Sequence, residues 1–226
     1  MKRIFYTEIS YFLGLVIMAF AAALTELAGF GMSMIVAPAY ILHLQVSKFL
    51  PWFSFGVSEY IVQGLVLILT AAIMKRFKLS YLFSFVTALL YGAALDLAMV
   101  IVSYIPSDGM AVRLICFVFG MCLCSVAVSL FFHTYIAPEA YELIVKELSK
   151  KFSININKFK TLYDCISASV SIILSFAFFG FGVFNGIGIG TVVCALLNGF
   201  LIGKSSAFLE KHFEFVNGLP LEKFFK

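Results

Sequence analysis

Charged residues are scarce in this sequence. They occupy 12% of 226 positions, while 62% are hydrophobic and the mean hydropathy is +1.05. A soluble domain carries about 25% charged residues, so this balance excludes a soluble globular fold. Histidine is rarer still, at three. No Ser/His/Asp or Cys/His constellation and no paired metal ligands stand out, which argues against an enzyme, a metal centre or a cofactor. The five cysteines (Cys116, Cys122, Cys124, Cys165 and Cys194) all lie inside apolar segments, where free cysteine behaves as a small hydrophobe. Cys122 and Cys124 are two apart on a helix and face different directions, so neither a disulfide nor shared chelation is expected. Basic clusters are missing too. The net charge of +4 comes from cations placed in the breaks between apolar runs, a pattern that fits membrane orientation and excludes nucleic acid as a partner. No small-residue cleavage site follows the apolar run from Ile9, so that run is read as a first membrane helix rather than a signal peptide.

What the chain does have is length of apolar run. A helix needs about 20 mainly apolar residues to cross the hydrocarbon layer, and six segments qualify: Ile9–Leu27, Phe55–Met74, Leu79–Val102, Val112–Phe132, Phe159–Phe181 and Ile187–Phe208. Met32–Gln45 is apolar but too short to span. Its echo, Ala137-Pro138-Glu139-Ala140-Tyr141 against Ala37-Pro38-Ala39-Tyr40, leads into a segment with Tyr141, Ile144, Val145, Leu148 and Phe152 on one face. The opposite face offers Glu142/Lys146 and Glu147/Lys151 four apart, and Pro138 suits a first helical position. Each of these two segments is expected to be a short re-entrant or interfacial helix, the second of them an amphipathic helix lying in the interface. With both termini in the cytoplasm, all sixteen Lys and Arg except Lys48 and Arg113 fall on the inner side, a strong positive-inside asymmetry for a bacterial cytoplasmic (inner) membrane.

The stretch Gly186–Gly203 reveals the organisation. Val86-Thr87-Ala88-Leu89-Leu90-Tyr91-Gly92 matches Val193-Cys194-Ala195-Leu196-Leu197-Asn198-Gly199 at a constant offset, the mark of a duplication. Residues 1–105 and 106–226 then form two repeats. Three crossings per repeat is an odd number, so the second is inserted upside down. The expected fold is an all-α membrane protein of six transmembrane helices in a 3+3 inverted repeat, an architecture that builds many secondary transporters.

Ionisable groups within spans are costly enough to be functional candidates. Glu26, Glu59 and Asp96 are predicted toward the outer surface, where they form an acidic vestibule favouring a cationic or neutral solute; the competing reading is solvated interfacial carboxylates, one paired with Arg113. Glu59, Gln63 and Thr70 share a helical face, as do Lys160, Asp164, Ser167, Ser171 and Ser175. These stripes are expected to face one another along a polar path, against the alternative that the serines only bring helices together and Lys160 and Asp164 form an ion pair. Tyr91 and Asn198 occupy matched positions, Asn198 either binding solute or bonding a neighbouring helix. Gly186, Gly188 and Gly190 are read as permitting close helix approach or a broken helix end rather than as a phosphate loop.

These segments taken together, Ala28-Gly29-Phe30-Gly31, Ser54-Phe55-Gly56, Ala137-Pro138, Gly188–Thr191 and Ala195–Gly199, resemble the YczE/YyaS/YitT family of bacterial integral membrane proteins. The family commonly has Ser-Pro and then Asp after its first glycine segment, whereas this chain has Met32-Ser33-Met34 and a later Ala37-Pro38, so no role for that Asp carries over. The resemblance implies fold and location and no substrate. The functional expectation is a secondary transporter of a small cationic or neutral solute, with Glu26, Glu59, Gln63, Tyr91, Asp96, Lys160, Asp164 and Asn198 along its path. The alternative is a non-transporting membrane partner that stabilises or localises another protein. The lipid bilayer is the expected surrounding, and a homodimer is compatible with a unit this small.

Overall fold

A computed structural model describes residues 2–154 and 156–220. The chain runs β1 (Arg3–Tyr6), α1 (Thr7–Ala28), α2 (Ala37–Val46), α3 (Phe55–Met74), α4 (Leu79–Val102), α5 (Met110–Phe132), α6 (Ala140–Lys151), α7 (Ile156–Phe179), α8 (Ile189–His212) and β2 (Phe213–Val216). Six helices, α1, α3, α4, α5, α7 and α8, are long and apolar enough to cross a membrane. They coincide with the six expected spans. The order long, short, long, long occurs twice.

Two four-residue strands accompany the helices. β1 and β2 pair in parallel, Arg3 opposite Phe213 and Tyr6 opposite Val216, and so bring the start of α1 and the end of α8 together. Glu8 reinforces the junction by accepting the Tyr135 hydroxyl at 2.7 Å and the backbone N–H groups of Gly218 and Leu219. Of the cations used for orientation, Lys223 and Lys226 lie outside the described residues.

The core forms where α1 meets α5. Lipid tails are as apolar as leucine, so membrane helices associate through close packing and interhelical hydrogen bonds rather than burial alone. The alanine-rich second half of α1 supplies the smooth surface, with Ala19, Ala21, Ala22 and Ala23 buried against α5 residues such as Phe117 and Met121. Serines supply the bonds. Ser10 donates to the Leu130 carbonyl, and Ser129 donates to the carbonyl of Ile202 on α8.

α3 and α4 close on each other through glycine. A Cβ added at Gly56 would collide with the Gly92 carbonyl oxygen, so the backbones meet with nothing between them. Asp96 locks the same corner: it accepts the Ser54 hydroxyl at 2.5 Å and the Gly56 N–H at 2.8 Å, while Ser54 Oγ caps α3 by accepting from Val57. The corresponding later pair, α7 and α8, does not pack this way, and Gly199, the match of Gly92, has no neighbour within 4 Å of an added Cβ.

The two short helices fill the space between α3 and α7. α6 begins against the middle of α3, where the Ala140 N–H donates to Gln63 Oε1, and ends where Lys151 reaches the Ile73 carbonyl. The segment leading into α2 begins against the middle of α7, where Ser167 donates to the Met34 carbonyl. Beyond the other end of α2, Lys48 sits over the Phe179 ring. The polar stripes of α3 and α7 therefore do not face one another, contrary to expectation; both face the short helices. Within α6 the expected acid-to-lysine pairs are replaced by ion pairs to other elements, Glu147 with Arg76 and Lys78 of the turn between α3 and α4, Glu142 with Lys160 of α7. Pro138 precedes the helix rather than opening it, and Glu139 takes the N-cap position, whereas Pro38 does sit in the first turn of α2.

Candidate functional site

Between α1, α5, α7, α8 and the N-terminal ends of the short helices lies a cavity of about 550 Å³. α1 and α5 contribute Met18, Ala21, Ala22, Met121 and Val128, and the segment before α2 contributes Met32 to Val36. That lining is apolar because it comes from the same alanine- and methionine-rich faces that build the core. The polar part comes from elsewhere: Tyr91 of α4, Glu139, Tyr141 and Glu142 at the start of α6, Lys160 and Asp164 of α7, and Asn198 of α8.

Four of these residues carry a buried oxygen with no hydrogen-bond partner: Tyr91 Oη, Glu139 Oε1, Asp164 Oδ1 and Asn198 Oδ1. Buried polar atoms are normally satisfied, and an orphan costs about 1–3 kcal/mol. Tyr91 and Glu139 are only 1% and 4% exposed. The four oxygens belong to residues around one cavity and form an array of acceptors, of which the Tyr91 hydroxyl can also donate.

Behind Glu139 lies a second layer. Gln63 donates from one amide nitrogen to Glu59 Oε2 at 3.4 Å and to Glu139 Oε2 at 3.2 Å, so a single amide holds two carboxylates. The Tyr141 hydroxyl also donates to Glu59, at 3.0 Å. Glu59 is fully buried, and its Oε1 is a fifth unpartnered oxygen. Burial, with Glu142 and Glu59 nearby, pushes the Glu139 carboxyl well above the usual carboxylate range. Burial raises Glu142 as well, against the pull of Lys160 at 3.9 Å.

The sequence candidates thus divide. Tyr91, Lys160, Asp164 and Asn198 line the cavity, and Glu59 and Gln63 support it from behind. Glu26 and Asp96 do not line it: Glu26 accepts the Tyr40 hydroxyl at 3.1 Å, and Asp96 holds the start of α3. Arg113 pairs with neither, donating instead to the Ala28 carbonyl at 2.7 Å. Lys160 finds Glu142 as its ion-pair partner rather than Asp164. Asn198 Oδ1 accepts no bond from a neighbouring helix. Glu139, Tyr141 and Glu142 were not singled out as candidates from sequence. The available signal was the echo itself, because Glu139 stands where the first copy has Ala39.

Three carboxyl groups and one ammonium line the cavity. The Tyr91 hydroxyl, the Asn198 amide and the Lys160 ammonium can donate, while the carboxyl groups outnumber the single ammonium. A group bearing N–H bonds and positive charge finds carboxyl acceptors there.

A family model described as "Family of unknown function (DUF6198)" matches residues 5–206. The chain is also similar to the uncharacterized protein YyaS of Bacillus subtilis (strain 168), 28% identical over 208 residues that cover 90% of this chain and 94% of that protein. No solved structure matches.

Proposed function

The chain belongs to the DUF6198 family of unknown function, and we propose that this multi-pass membrane protein is a secondary transporter of a small cationic solute. The observation that carries this reading is the set of four unpartnered oxygens, on Tyr91, Glu139, Asp164 and Asn198, around one cavity. In the proposed arrangement residues 1–105 and 106–226 are three-span repeats of opposite sense. α2 and α6 are re-entrant half-helices that start near the midplane, and both termini lie on the cytoplasmic side of a bacterial inner membrane. Discontinuous helices meeting at such a site are how inverted-repeat transporters hold their solutes. The pairing of β1, just before α1, with β2, just after α8, supports an even number of crossings between them.

In this mechanism Glu139 holds a proton when the cavity is empty, because burial disfavours its charged form. An entering ammonium group donates to Glu139 and Asp164, and the carboxyl proton leaves to water. Proton and cation therefore exchange. The groups facing Glu139 set the exchange: Glu59 and Gln63 from α3, Tyr91 from α4, Tyr141 and Glu142 from α6, Lys160 and Asp164 from α7.

The test is counterflow of labelled ethylammonium in proteoliposomes. Wild type is expected to exchange label well above protein-free vesicles, with Asp164→Asn and Glu59→Gln folded but impaired. Flux equal to empty vesicles with correctly folded protein would sink the reading. The rival, a non-transporting partner, would show instead as loss of a co-purifying protein in the same variants without any amine flux.

A further inference from the structure

The side of the cavity between α7 and α8 is the place where the two halves differ. α3 and α4 meet backbone to backbone at Gly56 and Gly92, yet α7 and α8 stay apart. Ala195, Gly199 and Gly203 line the cavity along this gap, and a Cβ at Gly199 or Gly203 would meet nothing within 4 Å. Both helices also carry exposed apolar side chains, Ile166 and Val170 on α7, Leu196 and Phe200 on α8. In a bilayer those faces meet acyl chains, so the gap leads to lipid.

The interior matches that approach. Methionines 18, 32, 34 and 121 line the apolar part, and their flexible, polarizable thioethers adapt to a ligand's shape. The same cavity is lined by Glu139 and Tyr91, each with a buried, unpartnered oxygen. About 550 Å³ lies within the range of pockets that hold drug-sized molecules, about 300–1,000 Å³, and far exceeds what a bare alkylammonium head needs. Lys160, held by Glu142, leaves Glu139 and Asp164 for the ligand.

We propose that the solute is an amphipathic primary amine that enters from the bilayer between α7 and α8, placing its ammonium on Glu139 and Asp164 and its hydrocarbon part against the methionines. This rests on the cation-transport reading and specifies its substrate and route. No covalent step is involved.

The experiment compares octylammonium with methylammonium binding to the full chain in phosphatidylcholine nanodiscs, in wild type, Gly199→Phe and Gly203→Phe. Both variants add bulk where there is open space, so folding is retained and is checked by melting temperature. Octylammonium is expected to bind about 100-fold tighter than methylammonium, less than full burial of seven further methylenes would give. Either Phe variant is expected to slow octylammonium association about tenfold and methylammonium association much less, as obstruction of a lipid-facing route requires. Equal affinities for the two ions, or unaltered octylammonium association in both variants, would overturn the proposal while leaving cation binding intact. If neither ion binds wild type, the cation reading falls with it.

Discussion

Gly56→Ala and Gly199→Ala are the same chemical change at two helix positions, and the packing predicts opposite results. At Gly56 the new methyl collides with the Gly92 carbonyl oxygen and lies 2.7 Å from Asp96 Cγ, so α3 and α4 must separate. Overpacking of this kind costs about 1–3 kcal/mol. Separation also strains the 2.8 Å bond from the Gly56 N–H to the Asp96 carboxylate, a charge-assisted bond worth about 1.5–3 kcal/mol. The expected total is about 2.5–6 kcal/mol, which in a chain of this size lowers the melting temperature by roughly 5–24 °C. At Gly199 the methyl meets nothing, and alanine is the better helix former by up to about 1 kcal/mol. No loss of stability is expected there. The assay is thermal unfolding of both purified variants in one detergent, followed by fluorescence and by aggregation. Comparable destabilisation at the two sites, or a neutral Gly56→Ala, would refute the claim that one helix pair is closed and the other open.

Three further outcomes follow from the buried network and its rim. Gln63→Leu removes the amide shared by Glu59 and Glu139 and the acceptor of the Ala140 N–H, so it is expected to cost about 2–5 kcal/mol, read as a lower melting temperature and faster amide exchange at the start of α6. Because folding raises the Glu139 carboxyl above its ordinary value of 4.5, its stabilising contribution is complete below that pH and is lost as pH rises toward the folded value; ligand-free wild type should melt progressively lower on that rise, and Glu139→Gln should flatten the profile. Glu147→Ala removes the partner of Lys78 and Arg76, but both cations are partly solvated, so a loss below about 1 kcal/mol is expected and a large one would mean α6 is anchored mainly by charge.

The six spans were legible because bilayer thickness imposes one length on every crossing, and hydropathy alone finds segments of that length. α2 and α6 were legible as short helices from their Ala-Pro echo, although α2 starts at Ala37 and the preceding Met32 to Val36 became cavity lining instead. The strands were not legible. Arg3–Tyr6 finds its partner about 210 residues away, and no local pattern encodes such a pairing. The site was half legible. Asp164, Lys160, Tyr91 and Asn198 stood out as polar residues in apolar spans, the signal that membrane burial makes informative. Glu139 escaped because it lies outside any span, next to a charged amphipathic helix where a glutamate is ordinary. Only its placement against the middle of α3, beside Gln63, makes it a buried acid. Glu26 and Asp96 carried the same sequence signal as Asp164, yet one accepts a tyrosine hydroxyl and the other caps a helix, which are structural tasks that also need a carboxylate.

The most direct test of the acceptor array is calorimetric titration of propylammonium into wild type, Glu139→Gln and Asp164→Asn in two buffers of different ionisation enthalpy. The account predicts saturable binding to wild type with net proton release, release abolished in Glu139→Gln, and affinity reduced at least tenfold in Asp164→Asn, about the loss of one charge-assisted hydrogen bond. Binding of equal strength in all three proteins, or wild-type binding with no proton released, would contradict it.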